Sequence, residues 1–135
     1  MTVFVDTSAL YALLDRDDEN HLVAAKEWQQ LLDRGDALVT HNYVLVETVA
    51  LAQRRLGMAA VRTLLDEILP VVGFFWVDQA LHQDAVIALL AAGRRDLSLV
   101  DWVSFEGMRQ KGIQKAFAFD EDFQAQGFVV VPSTG

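Results

Sequence analysis

The sequence predicts an α/β fold with a parallel central sheet of four to five strands and helices on both faces. Two patterns support this prediction. Short runs of β-branched and aromatic residues end abruptly at polar residues, which is typical of strands buried on both faces of a sheet. Longer segments between them repeat apolar residues at helical spacing, and strands that alternate with helices imply parallel pairing. The predicted strands cover residues 3–5, 37–39, 74–77, 113–119 and 128–131.

Polar caps and glycines mark the predicted helices. Thr7 or Ser8 is expected to cap the first helix, Asn20 the second, and Asp78 the helix after the third strand. The segment 43–56 is apolar almost all round, which is typical of a helix buried on several sides or covered by a partner. The predicted helices cover residues 9–14, 21–33, 43–56, 58–69, 79–93 and 98–111, with a turn or short helix at 121–123.

Composition restricts the class of protein. The chain has 135 residues, the length of one domain, and 53% of them are hydrophobic, so a substantial core can form. No stretch approaches the ~20 apolar residues of a membrane span, and the first residues lack the features of a signal peptide. The absence of cysteine excludes disulfides and thiolate metal sites, and it fits a cytoplasmic protein. Only the last few residues have the character of a tail.

The charge balance restricts the class of partner. A net charge of −8, from 11 basic and 19 acidic residues, argues against strong non-specific nucleic-acid binding driven by the charge of the whole protein. A local basic rim is still compatible with this balance. So is a protein that concentrates acidic groups around a cation, or one that binds a basic partner.

Aspartates stand where parallel α/β sheets bind their ligands, at the carboxyl ends of strands. Asp6 follows the first strand and Asp120 the fourth, so parallel strands would bring both to one edge. Asp101 lies in the first turn of a helix, and topology alone does not fix whether that turn reaches the same edge. Each acid also has a purely structural interpretation, Asp6 and Asp120 as helix caps and Asp101 as part of a capping box with Ser98.

Clustered carboxylates repel one another and raise each other's pKa, and a divalent cation relieves that repulsion. Mg²⁺ and Mn²⁺ prefer oxygen ligands, and such a site can bind a phosphodiester and activate water without a protein nucleophile. Competing motifs are missing. The sequence contains no Gly-x-Gly-x-x-Gly, no Gly-x-x-x-x-Gly-Lys-Ser/Thr and no Gly-x-Ser-x-Gly, and an aspartyl phosphatase would need an acid where Ser8 stands.

Four segments together resemble the PIN domain family, and within it the VapC-type toxin ribonucleases of toxin–antitoxin modules. Residues 3–10 are similar to the opening strand and first acid of the family, and residues 42–48 to its segment with a glutamate. Residues 97–105 are similar to its third acidic segment, and residues 116–123, followed by Gly127 and Phe128, to its closing segment. Order and spacing match across nearly the whole chain. Val100 departs from the family, which often has a small polar residue there.

The resemblance implies a three-layer PIN-like fold, with residues 1–135 as a single domain, and a metal-dependent endoribonuclease. Water activated by Mg²⁺ or Mn²⁺ at an acidic cluster would hydrolyse RNA phosphodiester bonds. The implied catalytic and metal-binding acids are Asp6, Glu47, Asp101 and Asp120, with Asp122 as a candidate fifth ligand. Helical pattern alone leaves open whether Glu47 is a ligand or lies on an exposed strip of its helix.

The resemblance also implies residues that bind substrate. Thr7 or Ser8 would help to position the metal or a phosphate. Arg94 and Arg95 are candidates for a rim that contacts the RNA backbone. Other basic side chains could serve in the same way or simply be solvated: Arg16, Arg54, Arg109 and Lys111.

Partners follow from the same resemblance. An antitoxin protein would cover the acidic pocket with an Arg or Lys, and the apolar helix around Glu47 would suit that partner or a homodimer. Two rival functions are a PIN nuclease of RNA processing without an antitoxin, and a catalytically silent PIN-like binding module. The presence of all four acids speaks against the silent module.

Overall fold

Five parallel strands form one sheet in the order β3-β2-β1-β4-β5. The computed structural model of the protein describes residues 1–133, and the end of the predicted tail, Thr134 and Gly135, lies outside the described residues. Every neighbouring pair of strands is parallel, so the predicted fold class is confirmed. The strands are β1 (Thr2–Val5), β2 (Ala37–His41), β3 (Gly73–Phe75), β4 (Lys115–Phe117) and β5 (Val129–Val131).

Two strands are shorter than the sequence predicts, because backbone groups past their ends bond to side chains. The predicted strand 74–77 stops at Phe75, since the Val77 N–H donates to the side chain of Asn42 at 2.7 Å. The predicted strand 113–119 is reduced to Lys115–Phe117, and the Phe119 N–H donates to the Ser8 hydroxyl at 3.0 Å. Apolar character therefore extends beyond the residues that pair.

Helices surround the sheet, and one capping prediction was wrong. Asp6, and not Thr7 or Ser8, is the N-cap of the first helix, whereas Asn20 is the N-cap of the second helix as predicted, although its side chain makes no capping hydrogen bond. Asp78 caps as predicted. The predicted helix 58–69 begins as an α-helix and continues as a π-helical turn, Leu64–Ile68, and a 3₁₀ turn, Leu69–Val71. The helices are α1 (Thr7–Leu14), α2 (His21–Arg34), α3 (Asn42–Arg55), α4 (Met58–Thr63), α5 (Gln79–Ala92), α6 (Leu99–Lys111) and α7 (Asp122–Ala125).

A pair of antiparallel helices connects β3 to β4. The second half of α6 lies beside the first half of α5, since Gln110 donates to Asp84 at 3.0 Å and Gly107 sits against the Leu81 side chain. Because α6 leads into the start of β4, its own first turn lies at the carboxyl edge of the sheet. The antiparallel arrangement of α5 and α6 therefore brings Asp101 to the carboxyl edge of the sheet, which topology alone did not decide.

The central strand carries the core. Val3, Phe4 and Val5 of β1 are completely buried between the helical layers, as predicted for a strand covered on both faces. Within residues 1–133, no helix has both the length and the apolar character needed to cross a membrane.

Candidate active site

Asp6 is a buried carboxylate at the end of the central strand. One of its oxygens, Oδ2, accepts from the Ser8 N–H at 3.1 Å and from the Ser8 hydroxyl at 2.7 Å, which makes Asp6 the N-cap of α1. Among the side-chain contacts of residues 1–133, Oδ1 accepts no hydrogen bond. Burial raises the pKa of Asp6 to about 7, against the opposing effect of the Ser8 hydrogen bonds. The cap interpretation was therefore right, and it leaves one oxygen available for another ligand.

Asp101 repeats this arrangement on another helix. Its Oδ2 accepts from the Ser98 N–H at 2.9 Å, while the Ser98 hydroxyl accepts from the Asp101 N–H at 3.1 Å, so the predicted capping box is present. Burial raises the pKa of Asp101, and the charge of Asp120 raises it further. Asp101 in turn raises the pKa of Asp6. The acid thus caps a helix and also faces the other two aspartates.

Asp120 and Asp122 form a carboxylate pair just beyond β4. The Asp122 N–H donates to Asp120 Oδ1 at 2.9 Å, which turns the chain into α7. The neighbouring Asp120 carboxyl group raises the pKa of Asp122 to about 6, and burial adds to the effect. Asp120 also raises the pKa of Asp6, so the two strand-end acids lie at the same edge, as predicted.

Glu47 faces the same group of acids from α3. Burial raises its pKa, the charge of Asp101 raises it further, and an interaction with the Thr7 hydroxyl works in the opposite direction. The side chain is half-buried and does not lie on an exposed strip. The structure therefore excludes the exposed orientation of Glu47 that the helical pattern left open, and its role as a metal ligand stays a prediction.

Thr7 and Ser8, which were predicted to bind substrate or metal, make hydrogen bonds that connect the segments carrying the acids. The Ser8 hydroxyl donates to Asp6 and accepts from the Phe119 N–H, so it ties the β1 turn to the residue before Asp120. Thr7 is buried and accepts from the Thr48 hydroxyl at 3.3 Å, next to Glu47. Both residues join the turn after β1 to other acid-bearing segments.

The basic residues separate into two groups. Arg94 lies beside the acids, with Nη2 2.6 Å from Asp96 and 3.7 Å from Asp122, and its pairing with Asp96 was not predicted. Arg95 is exposed in the same loop. Arg109 is engaged elsewhere, since it pairs with Glu106, donates to Gln126 and covers the ring of Phe128. Of these three arginines, Arg94 is the one whose side chain lies against an acid of the site.

His41 is a buried polar residue that the sequence did not single out. It ends β2 and caps α3, and its Nε2 lies 2.8 Å from the hydroxyl of Ser104 in α6. Sequence alone gives no signal for this contact, because the two residues are 63 positions apart.

The donor set fits a hard divalent cation by its chemistry. Several carboxylates with raised pKa values share one edge, and each of the three strand-end or helix-cap aspartates commits only one oxygen to the backbone turn it caps. Within residues 1–133, however, no group of three or more His, Asp or Glu side chains is arranged so that it could hold a metal ion. Mg²⁺ usually keeps several waters and takes one or two carboxylates, so a full protein shell is not required.

Comparison with known proteins identifies the family of this chain. The PIN domain family matches residues 3–129. The 23S rRNA-specific endonuclease VapC20 of Mycobacterium tuberculosis, in strains CDC 1551 and H37Rv, is 41% identical over 130 residues, which cover 96% of this chain and 97% of the relative. The crystal structure of that organism's VapC20, described as a sarcin–ricin loop cleaving toxin, superposes with a TM-score of 0.80 at 39% identity and covers 94% of this chain and 96% of its own.

More distant structures share the fold. VapBC2 from Rickettsia felis, bound to a promoter DNA fragment, has a TM-score of 0.71 at 10% identity and covers 96% of this chain and 97% of its own. FitAcB from Neisseria gonorrhoeae has a TM-score of 0.67 at 16% identity and covers 96% of each chain. The family match and the identity to VapC20 both extend over nearly the whole chain. The chain belongs to the PIN domain family, as a relative of its VapC-type toxin ribonucleases.

Proposed function

We propose that this protein is a metal-dependent endoribonuclease, the toxin of a VapBC-like module, with Asp6, Glu47, Asp101 and Asp120 as its catalytic acids. The observation that carries the proposal is electrostatic. Segments far apart in the chain bring buried and half-buried carboxylates to one edge, where burial raises the pKa values of Asp6, Glu47 and Asp101 and the charges of neighbouring acids raise them further. A fold tolerates such repulsion where the charges have a use, so strongly perturbed acids are typical of functional sites.

The proposed mechanism gives four acids one shared task, the binding of Mg²⁺ or Mn²⁺ either directly or through waters of the cation. Asp6, Asp101 and Asp120 would contribute the oxygens that their cap bonds leave unused, Glu47 would contribute its carboxylate, and Asp122 would support Asp120. When bound, the cation supplies Lewis acidity that polarises the phosphodiester and activates water. Asp6 carries a proton over much of the acidic and neutral range, because its pKa is about 7, and it must release that proton before it can act as a ligand. Arg94 would bind a phosphate oxygen, and its position 3.7 Å from Asp122, beside the acids, supports this role.

The proposed substrate is 23S ribosomal RNA at the sarcin–ricin loop. The names of the M. tuberculosis relative support this assignment, and its identity of 41% extends over 96% of the chain. An RNA loop also suits an acidic protein, because unpaired bases can be recognised individually while few phosphates need to be neutralised. A ribosomal substrate would place the activity in the cytoplasm.

A cleavage experiment tests the nuclease. Purified protein is incubated with a sarcin–ricin loop hairpin, and separately with a hairpin of the same length and composition whose loop is scrambled, with Mg²⁺, with Mn²⁺ or with EDTA. We expect one cut in the native loop that requires the cation and is lost in Asp6→Asn. Cleavage that persists in EDTA or in Asp6→Asn would show that the acids are not the catalytic group.

The apolar surface of α3 is the proposed site of self-association. A groove beside Val46 and Leu65, whose side chains are 67% and 44% exposed, has no ionisable side chain in its lining. Two chains of net charge −8 repel each other, so a second copy is best accommodated at an uncharged face. The groove is lined by Leu45, Val46, Val49, Ala50, Gln53 and Leu65.

An antitoxin is the second proposed partner. The acidic edge suits a basic side chain, since a guanidinium or ammonium group would lower the pKa values that burial and repulsion raise. A pull-down with the product of a neighbouring antitoxin reading frame, compared between wild type and Asp101→Asn, would test whether the acids contribute to that contact.

A further inference from the structure

His41 is a completely buried histidine whose two nitrogens are both bonded. The Val44 N–H donates to Nδ1 at 3.3 Å, so the ring proton resides on Nε2. Nε2 then donates to the Ser104 hydroxyl at 2.8 Å, and that hydroxyl donates to the Val100 carbonyl at 3.1 Å. With a neutral ring, each of these donors and acceptors, from the Val44 N–H to the Val100 carbonyl, has a hydrogen-bond partner. Burial lowers the pKa of His41 to about 3, so the ring stays neutral at physiological pH.

Aromatic neighbours fix the orientation of this ring. Phe4 stacks on it with a centroid distance of 5.5 Å, and Phe75 lies 5.4 Å away on a tilted plane. Tyr43 meets it edge-on at 6.2 Å. A ring held on three sides gives its hydrogen bonds a defined direction, so the contact to Ser104 acts as a stiff link between the end of β2 and α6.

The hydrogen bond between His41 and Ser104 connects the N-terminal cap of α3 to α6. These are the two helices that carry the acidic side chains Glu47 and Asp101. His41 caps α3 through Val44, and Glu47 lies about one turn further along that helix. Ser104 lies about one turn after Asp101 in α6. Glu47 on α3 and Asp101 on α6 carry like charges on helices that contact each other, and the buried bond from the cap of α3 to α6 opposes their separation.

We propose that the His41–Ser104 hydrogen bond sets the distance between Glu47 and Asp101, and that both residues are therefore positioning residues for the acidic site. This inference rests on the proposed nuclease function. Neither side chain touches the substrate in this proposal. They act by holding α3 and α6 in the relation that lets both acids share one cation.

Ser104→Ala removes the bond with the smallest change in volume, and Ile113→Val is the matched control. Ile113 is buried just before β4, at the opposite edge of the sheet, and its variant loses a little core packing without touching the link. Both variants are compared with wild type by Mn²⁺ binding in electron paramagnetic resonance, by single-turnover cleavage at saturating RNA, by RNA affinity in EDTA and by melting temperature.

We expect Ser104→Ala to weaken Mn²⁺ binding and to slow single-turnover cleavage by about tenfold or more, since small misplacements of reacting groups are costly. RNA affinity in EDTA should not change. Ile113→Val should change only the melting temperature. If Ser104→Ala behaves like Ile113→Val, the bond is merely structural and the inference is wrong.

A double-mutant cycle with His41→Asn tests whether the two residues act as one unit. Asparagine keeps an acceptor for the Val44 N–H but has no atom that reaches Ser104. The double variant should lose no more Mn²⁺ affinity than either single variant, whereas additive losses would overturn the proposal. If wild type binds Mn²⁺ but cleaves no RNA tested, the nuclease function fails while the Mn²⁺ cycle still decides the positioning role. If wild type binds no Mn²⁺, both fail.

Discussion

Replacing Asp6 by asparagine should stabilise the metal-free protein while it abolishes RNA cleavage. Burial raises the pKa of Asp6 from 3.8 to about 7, so the folded protein binds this proton more tightly than the unfolded chain does. The contribution of Asp6 to folding stability is therefore fully present below about pH 3.8, decreases as the pH rises toward 7, and is lost above it. Asparagine has no such titration, and it is as good an N-cap as aspartate.

The size of the effect follows from the same shift. One pKa unit corresponds to about 1.4 kcal/mol, so a pKa raised from 3.8 to about 7 corresponds to about 4 kcal/mol. The side chain is only 5% exposed, so solvent screening reduces this figure little. Asp6→Asn should thus gain up to about 4 kcal/mol in free energy of unfolding at pH 8 and almost nothing near pH 3.5.

Urea unfolding in EDTA, repeated between pH 3.5 and pH 8, measures this difference. Asp78→Asn is the matched control, because Asp78 is also an N-cap aspartate, with a 2.8 Å bond from the Leu81 N–H, but it is exposed. Its difference from wild type should be small at every pH. Added Mg²⁺ should stabilise wild type and not Asp6→Asn. A gain that does not depend on pH, or a loss at pH 8, would refute the reasoning.

Three further predictions address other parts of the site and surface. Glu47→Gln should reduce cleavage at least ~100-fold, since even groups that only support metal ligands cost 10–100-fold; a variant that retains near wild-type cleavage would exclude Glu47 from the acids. Arg94→Ala should reduce the salt dependence of RNA binding by about one phosphate contact, whereas Arg62→Ala, at an exposed arginine of α4, should keep the wild-type slope; equal slopes for both variants would remove Arg94 from the rim. Val46→Asp should leave only the 15.0 kDa monomer in light scattering, whereas an unchanged mass would show that the α3 groove is not the dimer contact.

Local sequence patterns were sufficient to predict the parallel sheet and the positions of two acids, Asp6 and Asp120. A strand buried on both faces needs a run of apolar residues, and such a run ends where a polar residue begins, so residues 3–5 and Asp6 could be identified directly. Parallel pairing then required Asp6 and Asp120 to share an edge, and the charge of Asp120 does raise the pKa of Asp6. The roles of these acids in metal binding stay predictions.

The resemblance to a known family contributed more than periodicity did for Glu47. A helix that is apolar almost all round gives no sharp hydrophobic face, so helical spacing could not orient that side chain. The site residues that neighbour it in space, Thr7 and Asp101, come from other elements, and their closeness is a property of the packed structure.

Sequence by itself determined which elements form and which acids end the strands, because those features depend on neighbours within a few residues. Only the tertiary structure decided that the α5–α6 hairpin carries Asp101 to the acidic edge, that Ser8 joins Asp6 to the end of β4, and that His41 bonds to Ser104. Each of these depends on contacts between residues 26 to 111 positions apart. Local patterns carry no information about such contacts, because the contacts form only when distant segments of the chain pack against one another.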